Sequence, residues 1–268
     1  MSSPPFAAQG LHPAALARPD PEAPAPRGLR FGEVPITETG AFPPPAAPHC
    51  WVYVTLNAEI ALSLPHSPWL RRLVQDPRAR VSIDGQWLWW ALRRKYPQQP
   101  LAKLAGSDLI HRLAGHALRE GLRLLLVGTT PEVNGQAVMR LRQQWPGLEV
   151  AGYAPAQYAI GTQDETRAAA ETLAAIGAWH ADCVVLGLGA AKEHRLAERI
   201  APLLDGRVQG LCCFGGAIDM ASGRLRRAPV WMQRCGLEAL FRLCQRPSRW
   251  RRCLSATRIL LTIAAARY

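Results

Sequence analysis

The sequence predicts an α/β protein, built on a mainly parallel sheet with helices on both faces and carrying a basic helical appendage at its C-terminal end. Short apolar runs of strand length recur along the chain without strict alternation, as expected of strands buried on both faces. Stretches with helical spacing separate them, which gives the strand–helix–strand order of a Rossmann-like fold. The charge is uneven: Gly223 to Tyr268 holds eleven Arg and one Glu, a net of +10 out of +12 for the 268 residues. A nearly neutral globule with a basic end points to an anionic partner.

Taken in order, residues 1–49 come first, and twelve of the 23 Pro lie between Met1 and Pro48. That composition predicts a disordered leader. The core is expected over 50–222 and the appendage over 223–268. The first strand is Trp51-Val-Tyr-Val-Thr-Leu-Asn57, and Val81-Ser-Ile-Asp84-Gly85 follows as a strand end. Trp87, Trp89 and Trp90 beside it read as helix core. Leu122 to Val127 is a strand that runs into Gly128, Thr129, Thr130 and Pro131. A Thr N-cap with Pro in the first turn starts a helix whose apolar face is Val133, Ala137, Val138 and Leu141. Cys183 to Leu188 and Val208 to Phe214 complete the strands, and no internal repeat is present. In the appendage, Leu237, Leu240, Phe241 and Cys244 follow i, i+3, i+4, i+7, which predicts a helix with one apolar face.

Several function classes drop out. No apolar run reaches the roughly 18–20 residues that span a bilayer; Ile259 to Ala266 is eight residues between two Arg. No basic segment followed by an apolar stretch opens the chain, so no secretory signal is expected. The seven Cys form no CxxC pair and no Cys/His cluster at zinc spacing, which predicts reduced thiols and a cytoplasmic setting. The chain holds no GxGxxG, no P-loop and no DxD, so neither a dinucleotide cradle nor the usual metal-bound nucleotide sugar is indicated. Nucleic acid is not expected either, because interleaved aromatics and a nucleic-acid-reading fold are missing.

Ligands of open α/β sheets bind beyond the C-terminal ends of the strands, and each predicted strand end here carries unusual residues. Thr55, Asn57 and Glu59 follow the first. Asp84-Gly85 ends the second, where an ordinary turn is the plainer reading. Gly128, Gly187 and Gly189 suit close approach of a phosphate or sugar to backbone N–H groups at helix starts, although Gly also serves chain reversal there. Phe214-Gly215-Gly216-Ala-Ile-Asp219 closes the series. The basic appendage has two readings: a helix packed on the globule with a solvated charged face, or a helix resting on anionic lipid with Trp231 and Trp250 at the interface.

Together these pieces resemble the WecG/TagA/CpsF family of glycosyltransferases. The resemblance rests on Val54-Thr55-Leu-Asn57-Ala-Glu59, Asp84-Gly85, Ala105-Gly106-Ser107-Asp108-Leu109, the Gly128 turn, Gly187-Leu-Gly189-Ala190 with Lys192, Gly215-Gly216-Ala-Ile-Asp219, and Arg226-Arg227-Ala-Pro229-Val-Trp231-Met232-Gln233. It covers about Val52 to Arg252 in collinear order. It implies an inverting, metal-independent transfer, with no cofactor, from a UDP-sugar donor to a lipid-diphosphate-linked glycan acceptor in cell-surface polysaccharide assembly. The protein would sit peripherally on the anionic inner face of the cell membrane, and a homo-oligomer is left open.

On this resemblance Asp84 is the general base that takes the acceptor hydroxyl proton, with Thr55 beside it among the catalytic residues. Asn57 helps position donor or acceptor, and Asp219 contacts uridine. Substrate contacts are further expected from Lys103, Gly106, Ser107, Asp108, Gly128, Thr129, Gly187, Gly189, Lys192, Glu193, Gly215 and Gly216. Arg226, Arg227, Arg234 and Arg242 belong to the segment that closes the site and docks on the membrane, their charge serving the departing diphosphate in place of a metal. The chain departs from the family at Lys103 and Ala105, where Arg and Thr are common, and at Glu193, where a Gln often meets the nucleotide. The alternative function is a non-catalytic binding protein for a nucleotide sugar or another anionic partner, built on the same fold.

Overall fold

The computed structural model describes residues 28–40 and 42–245; the expected leader up to Arg27 and the appendage beyond Gln245 lie outside them. Eight strands are present among the described residues: β1 (Arg30–Phe31), β2 (Val34–Pro35), β3 (Trp51–Leu56), β4 (Ala79–Ile83), β5 (Leu124–Gly128), β6 (Val150–Tyr153), β7 (Cys183–Gly187) and β8 (Gly210–Cys213). The first two form a small antiparallel pair, and the other six form one sheet in the order β4-β3-β8-β7-β5-β6. Every neighbouring pair in that sheet is parallel. The α/β Rossmann-like class is therefore the observed one.

Parallel strands need helical crossovers, and these lie on both faces. They are α1 (Ala58–Ser63), α2 (Pro68–Gln75), α3 (Gln86–Lys95), α4 (Gly106–Glu120), α5 (Pro131–Gln144), α6 (Gln163–Trp179), α7 (Ala190–Ile200) and α8 (Ala217–Ala221), followed by α9 (Val230–Arg234) and α10 (Glu238–Gln245). The period-2 pleat divides each strand between two cores. Val52, Val54 and Leu56 of β3 join Val184 and Leu186 of β7 on the face covered by α2, α3, α6 and α7. Trp51 and Tyr53 join Leu124, Leu126 and Val185 on the face covered by α4, α5 and α8. The expected helix start at Thr130 is present, its hydroxyl accepting from Val133 N at 3.3 Å.

Residues 28–40 and 42–49 differ from the expectation of an unpacked leader. Leu29, Val34, Ile36 and Phe42 are buried, and the backbone N–H groups of Thr37 and Glu38 both donate to Val81 O. This segment covers the outer side of β4, whose ladder groups would otherwise face water as an open edge. The Trp cluster also differs: α3 buries Leu88 and Leu92, four residues apart, whereas Trp90 is 37% exposed. In the appendage Leu237 and Leu240 are 37% and 51% exposed, so the predicted apolar stripe is not sealed against the globule.

Of the thiols, Cys50, Cys183, Cys212 and Cys213 are buried, while Cys235 and Cys244 are exposed. Burial pushes Cys50 and Cys183 up to about 12, and it raises Cys212 and Cys213 as well. No helix among the described residues is long and apolar enough to cross a membrane.

Candidate functional site

The six strands of the main sheet all point the same way, so their C-terminal ends lie along one edge of it. A cleft of about 470 Å³ lies there, where a doubly wound sheet binds its ligands. It collects residues from four strand ends: Thr55 in the last pleat of β3 and Asn57 just after it, Asp84 after β4, Gly187 and Gly189 at β7, and Gly215, Gly216 and Asp219 after β8. Gly106 and Ser107 at the start of α4, Thr129 after β5, and Lys192 and Glu193 on α7 also line it.

Local structure fixes each of these. Asp84 N donates to Leu56 O at 2.7 Å, extending the β3–β4 ladder by one step and setting the carboxylate at the rim just before α3. Asn57 is the N-cap of α1, its Oδ1 accepting from Ile60 N at 3.1 Å. Thr55 is 4% exposed, and its hydroxyl donates to Cys213 O at 3.3 Å, tying β3 to the end of β8. Ser107 lies in the first turn of α4, with a buried hydroxyl that has no hydrogen-bond partner in the protein. A helix start with open N–H groups and an unsatisfied hydroxyl suits an anionic oxygen. Thr129 has φ +59°, a left-handed conformation that is costly for a β-branched residue.

Glu193 is almost fully buried. Its Oε1 accepts from Gly215 N at 3.0 Å and its Oε2 from Gly189 N at 3.3 Å. The carboxylate thus bridges the turns after β7 and β8 from inside the wall, which is a structural use of a residue expected to meet the nucleotide. Its neighbour Lys192 holds its ammonium 5.0 Å from the centre of the Tyr158 ring, within cation–π range.

Other expected residues lie away from the cleft wall. A Cβ on Gly128 would come within 2.6 Å of Gly187 O, so glycine is needed there for two strand ends to pass. Lys103 donates to Gln86 Oε1 at 3.1 Å, buttressing the turn behind Asp84. Asp108 pairs with Arg227 at 2.9 Å. Arg226 and Arg234 are exposed outside the lining, and the side chain of Arg242 lies outside the described residues.

The cleft also contains residues that the sequence did not single out for a site. Gln157 and Tyr158 come from the segment after β6, and Arg224, Gln233 and Glu238 come from the appendage. Trp87, one turn beyond Asp84, lines the cleft too, and its indole N–H donates to Gly236 O at 3.2 Å. The described part of the appendage therefore forms one wall of the cleft. Among known protein families, the model of the glycosyl transferase WecG/TagA/CpsF family matches residues 46–268.

Proposed function

Since the chain belongs to the WecG/TagA/CpsF family of glycosyl transferases, we propose that it moves a sugar from a UDP-sugar to a polyprenyl-diphosphate-linked acceptor with inversion and without a metal. The observation that carries this reading is Asp84, a carboxylate at a strand end in a cleft that the cations Lys192 and Arg224 and the open start of α4 also line. Asp84 takes the proton of the acceptor hydroxyl as its oxygen attacks the anomeric carbon. The bond from that carbon to the UDP oxygen breaks on the opposite face, and its electron pair leaves with the diphosphate. Lys192, Arg224 and the Gly106–Ser107 amides are suited to hold the resulting charge.

The same reading gives the outer surface of the appendage a role. Val230 and Trp231 are each 61% exposed, and Leu240 is 51% exposed, beside the Arg-rich segment. Apolar and aromatic side chains next to positive charge suit the interface of an anionic membrane, where a lipid-linked acceptor resides. A peripheral position on the inner face of the cell membrane follows.

Asp84→Asn tests the assignment. UDP binding should be retained while turnover falls by on the order of 10²–10⁴. Transfer at the wild-type rate by this variant would remove Asp84 as the base. UDP protection without turnover on any lipid-diphosphate acceptor would favour a binding protein instead.

A further inference from the structure

We propose that Arg227 is a positioning residue, a three-way clamp that holds the appendage in the cleft wall. Its guanidinium reaches three elements. Nη2 is 2.9 Å from Asp108 Oδ2 in the first turn of α4 and 3.2 Å from Gln233 Oε1 on α9. Nη1 is 3.7 Å from Glu238 Oε1 at the start of α10, within ion-pair range. Arg227 and Asp108 are 119 residues apart in sequence, so the contact joins the globule to its C-terminal segment.

Packing explains why this clamp matters. α9 buries no residue, so apolar burial contributes little to seating it. Gln233 and Glu238 nevertheless line the cleft, and both are held by the same guanidinium. Gln233 is further fixed by Nε2 donating to Ala228 O at 2.7 Å. The Arg227 and Glu238 side chains are only 22% and 18% exposed, so solvent screens their attraction less than it would on an open surface. Removing the cation takes away the one partner that Asp108, Gln233 and Glu238 share. The planar fork of Arg suits this geometry, and a Lys ammonium does not reproduce it.

Amide hydrogen exchange on the full-length chain without nucleotide tests the clamp directly. In Arg227→Gln, amides of residues 230–245 should exchange on the order of tenfold faster, with β5, β7 and β8 unchanged. Arg227→Lys should fall between that variant and the wild type. If Arg227→Gln accelerates the sheet amides too, Asp108→Asn decides, since Asp108 is half exposed and outside the core; it should still loosen residues 230–245 selectively. Unchanged exchange over 230–245 in Arg227→Gln, or in Asp108→Asn where that variant decides, overturns the proposal. A loss of UDP affinity on top of unchanged exchange would assign Arg227 to the donor. The readout needs no substrate, so a failure of the glycosyl transfer reading leaves it intact and shows up separately, as absent UDP protection in the wild type.

Discussion

Trp87 and Gly236, 149 residues apart, meet across the mouth of the cleft: the indole N–H of Trp87 donates to Gly236 O at 3.2 Å. Trp87 stands one turn beyond Asp84, and Gly236 joins α9 to α10. The carboxylate proposed as the base and the wall that closes over it are therefore linked through one side chain. The contact is tight as well as polar. Gly236 has φ +75°, and a Cβ there would lie 2.9 Å from the Trp87 ring.

Trp87→Phe keeps an aromatic ring but removes the donor, at a cost of about 1 kcal/mol. Gly236→Ala adds backbone strain of roughly 1–3 kcal/mol to a steric conflict. Arg234 is exposed within α9, so tryptic cleavage after it reports the seating of this segment. Cleavage should accelerate roughly fivefold in Trp87→Phe and more in Gly236→Ala, following the population of the unseated form. Equal cleavage rates in all three proteins would show that this contact does not seat the wall.

Glu193 offers a second test. Each carboxylate oxygen accepts from a glycine N–H, and a Gln side chain has only one acceptor oxygen for the two donors. Glu193→Gln should destabilise the fold by about 1–3 kcal/mol, measured as a lowered urea midpoint with an unchanged slope. UDP affinity of the folded variant should stay within about twofold, because the side chain serves the turns. A tenfold loss of UDP affinity at unchanged stability would make Glu193 a nucleotide contact instead.

The third test is pH dependence. His194 is fully buried, and burial lowers it from 6.5 to about 4. A group depressed in the folded state is protonated first in the unfolded chain. Its neutral form therefore supports stability fully above about pH 6.5, and that support is lost as the pH falls towards 4. The loss amounts to about 3 kcal/mol. His194→Gln should flatten this part of the stability profile, read from urea midpoints between pH 7 and 4. An identical profile in the variant would remove His194 as its source.

Much of the fold was legible because buried parallel strands declare themselves as apolar runs and Thr130-Pro131 marks a helix start. β6 was not, because its Val-Ala-Gly-Tyr buries only Val150, as suits a strand at the edge of the sheet. With β6 unseen, the loop bringing Gln157 and Tyr158 into the cleft went unseen too. The apolar residues of 28–49 come in short pieces, such as Leu29-Arg-Phe31 and Val34-Pro-Ile36, broken by Gly, Pro and polar residues, so no window is long enough to show a strand or helix period. Yet Leu29, Ile36 and Phe42 are buried one by one.

The candidate site divides along the same line. Asp84, Asp219 and the glycines at strand ends are visible because topology alone brings strand ends together. The contacts of Arg227 with Asp108 and of Trp87 with Gly236 join segments 119 and 149 residues apart and leave no local pattern. The three Trp of α3 share one composition, but side-chain direction decides which packs inward and which faces the appendage.

The division of the cysteines has a practical consequence. The thiols in the sheet, and Cys50 at its entry, are buried and held protonated by burial, so they resist alkylation. The exposed thiols among the described residues, Cys235 and Cys244, both belong to the segment that walls the cleft. Thiol chemistry thus separates the described part of the wall from the sheet behind it. A maleimide dye attached at either position, without engineering a new site, places a fluorescent reporter on the wall itself, and its anisotropy follows the segment as nucleotide or vesicles are added.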